Sequence, residues 1–224
     1  MLLTNISGEP AVKQRRYIVV EGPIGVGKTT LAGILADEFK ARLILDRVDE
    51  NPFLKKFYDD QEKNAFATQL FFLLTRYQQQ KDLAQQELFK QTIVVDYLFA
   101  KDRLFAQVNL DSDELALYRQ LFALLDARIP KPDLVVYLQA RVDVLLARIR
   151  KRAKDYEQRV TPQYVENVAE AYREFFFHYD ETPLLVVNCS GIDFVANSED
   201  TADLMREIRE MGQGVQHYIP LGSR

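Results

Sequence analysis

Residues 17–30, YIVVEGPIGVGKTT, decide how the rest of the chain is read. Tyr17, Ile18, Val19 and Val20 form a short β-branched run that reads as a buried strand. It feeds Gly22-Pro23-Ile24-Gly25-Val26-Gly27-Lys28-Thr29, a full match to G-x-x-x-x-G-K-[ST]. Beyond Thr30, the apolar and small residues Leu31, Ala32, Ile34, Leu35 and Ala36 recur at helical spacing. Strand, glycine-rich loop and helix therefore stand in the order that gives the motif its meaning. Glycines let several main-chain N–H groups point inward, and the start of the following helix adds positive potential, so backbone donors can hold a polyphosphate. Lys28 is expected to reach the β and γ phosphates and Thr29 to offer a hydroxyl to Mg²⁺, with Gly22, Gly25, Gly27 and Thr30 completing the nucleotide loop.

The 224 residues are enough to bury a substantial core, and 47% hydrophobic with 28% charged residues is ordinary for a soluble globular protein. A net charge of −4, from 29 basic and 33 acidic residues, gives no support for bulk nucleic-acid binding, so an anion site must come from local clustering. The single cysteine, Cys189, excludes an internal disulfide and a cysteine-based zinc site, which fits a reducing cytoplasm. No apolar run of roughly 18 residues occurs, so no membrane association is expected. Residues 1–15 read as a loose arm, 16–210 as one domain, and 211–224 as a tail with no helical or strand period and no assigned role.

Five apolar β-type segments, at residues 17–20, 42–45, 92–95, 134–138 and 184–187, alternate with helical patterns. Such runs imply an α/β fold with a five-stranded parallel sheet covered on both faces. Asp111 with Glu114, and Thr161 before Pro162, mark helix starts. The segment 65–77, AFATQLFFLLTRY, is apolar on more than one helical face, which makes it either a deeply buried helix or one shared with a second subunit of a homodimer. The second strand runs into Asp46-Arg47-Val48-Asp49-Glu50, where ligands gather in open α/β sheets, and a carboxylate there can take a proton from an attacking hydroxyl. A solvated acidic turn is the plainer alternative. Asp96, closing the third strand, is the expected partner of Mg²⁺, and a helix is expected from near Leu98 through Asp102 and Arg103. Residues 148–159, RIRKRAKDYEQR, hold six basic residues against two acids, which suits either a lid closing on phosphates or a solvated helix end. Cys189, His178 and His217 carry no evident chemistry.

These pieces together resemble the deoxynucleoside kinase family, closest to its bacterial deoxyadenosine and deoxyguanosine kinases, over roughly residues 16–195. They are GPIGVGKTT, DENPFLKKFY, FATQLFFLLTRYQQ, VVDYLFAKDRLFA, PKPDLVVYLQA and RIRKRAKDYE, in order. The resemblance implies a three-layer P-loop kinase fold and transfer of the γ-phosphoryl group of ATP, with Mg²⁺, to the 5′-hydroxyl of a deoxynucleoside in nucleotide salvage. It places the general base on Asp46, with Asp49 and Glu50 as weaker candidates, and the base contacts on Gln69, Arg76 and Asp102. It places the sugar contact on Tyr58, the metal-side acid on Asp96, the lid contacts on Arg148 and Arg152, and the adenine of ATP near residues 188–197. Of these, Lys28, Asp46 and Arg152 would carry catalysis. These base contacts suit purines and cytosine better than thymine. Two departures stand out. Tyr97-Leu98 occupies the family's Arg-Ser places, which leaves Arg47 or a lid arginine to supply the missing charge, and Arg152-Ala153-Lys154 replaces a more usual R-G-R. A kinase of nucleoside monophosphates or of another small metabolite, and a catalytically silent nucleotide-binding regulator, are the alternatives.

Overall fold

Tyr17 and Val19 pack into one hydrophobic cluster and Ile18 and Val20 into another, because successive side chains of a strand point to opposite faces. That alternation places the first strand, β1 (Tyr17–Glu21), inside a sheet buried on both sides. In the computed structural model, which describes residues 17–85, 92–126, 129–191 and 197–220, it is joined by β2 (Arg42–Ile44), β3 (Ile93–Val95), β4 (Leu134–Gln139), β5 (Leu184–Asn188) and β6 (Val215–Tyr218). All pairings are parallel, in the order β2-β3-β1-β4-β5-β6. The arm expected at residues 1–15 lies outside the described residues.

The sheet has six strands, one more than the sequence led us to expect. Val215–Tyr218 pairs with Leu184–Val187 of β5 at the sheet edge, and three of its four residues are exposed. An edge strand needs neither a continuous apolar run nor a clean alternation, so residues 211–224 carry no local sign of it.

Helices α1 (Lys28–Phe39), α6 (Val142–Arg152) and α8 (Ser198–Glu210) cover one face of the sheet. The other is covered by α2 (Leu54–Asp59), α3 (Gln61–Gln85), α4 (Lys101–Asn109) and α5 (Ser112–Asp126), while α7 (Pro162–Phe177) contributes to both clusters. The two expected caps form. Asp111 Oδ1 accepts from the amides of Asp113 and Glu114, both at 2.9 Å, and Thr161 Oγ1 accepts from the Tyr164 amide at 3.2 Å. Helix α4 starts at Lys101 rather than near Leu98, after a turn in which the Leu98 amide donates to Glu21 Oε2 at 2.6 Å and the Lys101 amide to the Leu98 carbonyl at 3.0 Å. Among the described residues no helix is long and apolar enough to cross a membrane.

The chain leaves β1 toward β2 and β3 on one side and toward β4 and β5 on the other. The crevice beyond the carboxyl end of β1 is therefore a topological switch point, where such sheets bind ligands. The glycine-rich loop, the ends of β2 and β3, and the inner face of α3 all meet there.

Candidate active site

A cavity of about 730 Å³ opens at this switch point, within the range of small-molecule sites. Gly25, Gly27, Lys28, Thr29 and Thr30 line one end. Gly25 has φ 82°, and a Cβ there would stand 2.8 Å from both Ile149 Cγ1 and the Leu145 carbonyl oxygen, so only glycine lets the loop lie this close to α6. Gly22 does not line the cavity. A Cβ on it would clash with the Leu138 carbonyl oxygen, so it serves the loop's packing on β4. Lys28 Nζ donates to its own loop, to Gly22 O at 2.7 Å and Pro23 O at 3.1 Å, and burial brings its pKa down to about 8. Contact with a phosphate would replace those two carbonyls.

At the mouth of the loop Thr29 Oγ1 donates to Asp96 Oδ2 at 2.6 Å, while Asp96 Oδ1 accepts from the Asp46 amide at 2.6 Å. One carboxylate thus joins the loop to the end of β2. A hydroxyl and a carboxylate so close suit Mg²⁺, which takes one or two protein oxygens and completes its octahedron with phosphate oxygens and water. Among the described residues no cluster of three or more His, Cys, Asp or Glu could hold a metal by itself. Bound phosphate would have to supply further ligands.

Asp46 lies in the same cavity, its side chain 8% exposed. Arg76 Nε donates to Oδ1 at 3.0 Å, Arg76 Nη2 to Oδ2 at 2.6 Å, and Lys101 Nζ to Oδ2 at 2.9 Å. Burial alone would raise the carboxyl's pKa, but Arg76 and Lys101 outweigh it and hold the group well below the usual carboxylate range. Asp49 and Glu50, the weaker candidates, are rim residues. Asp49 accepts from Lys154 Nζ and the Tyr156 hydroxyl, and Glu50 pairs with Arg47, both of them more than half exposed. Arg47 therefore does not supply the missing cation beside Asp46, and neither does a lid arginine. Arg76 and Lys101 do. The ring of Tyr97, where the family resemblance has arginine, lies within 5.9 Å of the Arg76 guanidinium and 5.7 Å of the Lys101 ammonium, close enough for cation–π attraction to both.

Helix α3 brings Gln69 and Arg76 to the cavity two turns apart, and Tyr58 of α2 stands on the facing wall. Asp102 does not reach the cavity lining. It is fully buried and hydrogen bonded to Arg76 Nη1. Burial pushes its pKa up to about 6, against the pull of Arg76. Among the described residues, Gln69 Oε1 and Asp102 Oδ2 are buried oxygens that accept no hydrogen bond from a protein group.

The basic segment 148–159 folds over the cavity. Arg148 donates to Val26 O at 3.1 Å and Cys189 O at 3.0 Å, tying α6 to the glycine-rich loop and to the turn after β5. Part of the segment 188–197, expected near adenine, lies outside the described residues. Helix α6 ends at Ala153 in the left-handed region, and a short 3₁₀ turn (Asp155–Arg159) returns the chain to α7. Arg152 lines the cavity with both its Nε and Nη2 donated to the buried carboxylate of Glu157. Tyr156 stacks on Tyr58, ring centroids 5.9 Å apart.

Lys101, Glu157 and Tyr156 are among the cavity residues that escaped the sequence reading or stood in it only as part of a wider pattern. Beneath them lies Glu21, fully buried, accepting from the amides of Gly22 and Leu98 and from the Tyr172 hydroxyl. A carboxylate at the end of an otherwise apolar strand was the available signal for Glu21. The others look like ordinary surface residues in sequence. The assembled site offers a phosphate cradle, a charged acid within the same cavity, and an aromatic-walled pocket carrying an unused amide oxygen.

A family model described as deoxynucleoside kinase matches residues 18–212. The chain is similar to a deoxyguanosine kinase of Bacillus subtilis, 34% identical over 200 residues that span 87% of this chain and 97% of the relative. It is also similar to a deoxyadenosine kinase of Lactobacillus acidophilus, 30% identical with 87% and 95% covered. Among solved structures, deoxyadenosine kinase from M. mycoides with bound dATP superposes with a TM-score of 0.73 at 23% identity, over 85% of this chain and 97% of that one. At that identity the likeness speaks for the fold.

Proposed function

The chain belongs to the deoxynucleoside kinase family, and from that premise we propose that it transfers the γ-phosphoryl group of ATP to the 5′-hydroxyl of a purine deoxynucleoside or deoxycytidine. The observation that carries this reading is the placement of the Asp46 carboxylate in one cavity with Lys28 and the glycine-rich loop.

Asp46 accepts the hydrogen bond of the incoming hydroxyl and orients its oxygen toward the phosphate. A carboxylate held so firmly in its charged form is a weak base. That suffices for a loose transition state, in which the proton needs to leave only late. Lys28, released from its two loop carbonyls, and Arg152, released from Glu157, neutralise charge on the transferring group's equatorial oxygens. Thr29 and Asp96 would hold Mg²⁺, which when bound would supply neutralising charge to the phosphates. Gln69 and Arg76 present an amide and a guanidinium to the base edge, and the Tyr58 hydroxyl stands for the sugar.

A phosphate-bearing acceptor is poorly served. Lys55 and Lys56 are exposed and absent from the cavity lining, and Lys101 is already held by the Asp46 carboxylate. We further propose a cytoplasmic homodimer, which the exposed Leu74 of α3 and Leu117 and Leu124 of α5 support.

The deciding experiment is label transfer from γ-labelled ATP to deoxyguanosine, deoxyadenosine, deoxycytidine and thymidine, with and without Mg²⁺. We expect metal-dependent 5′-monophosphate from at least one of the first three. No product with any nucleoside would overturn the proposal.

A further inference from the structure

Lys101 opens α4 yet is only 4% exposed, and a lysine is taken out of water at high cost unless acceptors meet it. Its close acceptor is Asp46 Oδ2 at 2.9 Å, while Glu21 Oε2 stands farther off at 3.9 Å. Glu21 does not depend on this lysine, since two backbone amides and the Tyr172 hydroxyl already serve its oxygens. What Lys101 adds is therefore spent on Asp46. Arg76 grips that carboxylate from α3 as a planar fork, which meets the group from one side and leaves it the freedom to move with the Arg76 side chain. A second cation on Oδ2, arriving from α4 and resting on the Tyr97 ring, removes that freedom.

We infer that Lys101 is a positioning residue for phosphoryl transfer, acting through Asp46 by fixing the carboxylate toward the acceptor hydroxyl. The inference rests on the proposed role of Asp46. Fixed alignment of a reacting pair is worth large factors in rate, and a misplacement of about 1 Å can cost about a hundredfold.

The test uses the full chain as wild type, Lys101→Met, Lys101→Arg, Asp46→Asn and the Asp46→Asn/Lys101→Met double variant. It records kcat, both KM values and the thermal midpoint. Lys101→Met should lower kcat by about a hundredfold while each KM moves less than about threefold, and Lys101→Arg should recover at least about tenfold of the loss. Because Lys101 acts through Asp46, the double variant should be no slower than Asp46→Asn alone. A Lys101→Met enzyme within about threefold of wild type in kcat would overturn the inference, as would equal losses from methionine and arginine. Multiplying losses in the double variant would overturn it too. Should Lys101→Met fail to fold, Lys101→Gln takes its place under the same criteria. A wild-type protein that phosphorylates no nucleoside removes the kinase reading and this inference together, whereas an active wild type with any of the adverse outcomes removes this inference alone.

Discussion

Arg76 holds both carboxylate oxygens of Asp46, Nε to Oδ1 at 3.0 Å and Nη2 to Oδ2 at 2.6 Å, from a helix 30 residues away in sequence. Its remaining amino group is bonded to buried Asp102, and its guanidinium lies 4.5 Å over the Phe72 ring. One side chain thereby links the pocket proposed for the base to the acid proposed to receive the hydroxyl, so errors in base placement and in acid placement would be coupled.

Arg76→Ala should destabilise the fold by about 3–5 kcal/mol, because it strands two buried carboxylates that share this cation. Arg76→Lys keeps the charge and loses the fork. We expect it to retain most of the stability while kcat/KM for the nucleoside falls about ten- to a hundredfold, read by calorimetry beside steady-state kinetics.

Asp46→Asn should reduce kcat by about a hundredfold or more while leaving ATP binding nearly intact, since the amide cannot take the proton and the loop is untouched. Binding of a fluorescent ATP analogue separates the two effects. A parallel fall in affinity would assign Asp46 to nucleotide binding instead.

Asp102 should produce an acid limb near pH 6 in kcat/KM for the nucleoside. Burial raises its carboxyl to about 6, and once protonated it no longer holds Arg76 as an ion pair, so activity falls as pH drops below that value. The sign for stability is opposite. Between the ordinary value of 3.8 and about 6 the folded protein keeps a proton that the unfolded chain releases, so lowering pH through this window favours the fold. Acid loss of activity should therefore occur without loss of structure by circular dichroism, and Asp102→Asn should flatten the limb.

Lys154→Met should leave the thermal midpoint almost unchanged, because its partner Asp49 is largely exposed and such pairs contribute about 0–1 kcal/mol. It should nevertheless speed amide exchange across residues 153–160 in nucleotide-free protein, since Lys154 and Tyr156 are the groups that tether this turn to Asp49. Unchanged exchange would show that the tether does not hold this turn.

What the sequence determined by itself was everything written in contiguous residues. Apolar runs and helical spacing gave the parallel α/β sheet, the glycine pattern gave the phosphate loop, and the two caps formed where Asp111 and Thr161 stand. Other features depend on which distant residues meet. The edge strand Val215–Tyr218 is defined by its partner β5 and not by its own pattern. The inner face of α3 mixes Gln69, Arg76 and Gln80 with Phe72 and Leu73, and only packing shows that these polar groups are the buried ones. Lys101 lies 55 residues from Asp46 and resembles any surface lysine until α4 turns it inward. Local periodicity records whether a position faces a core, but the partner that makes a buried charge tolerable is set by the chain's path through space.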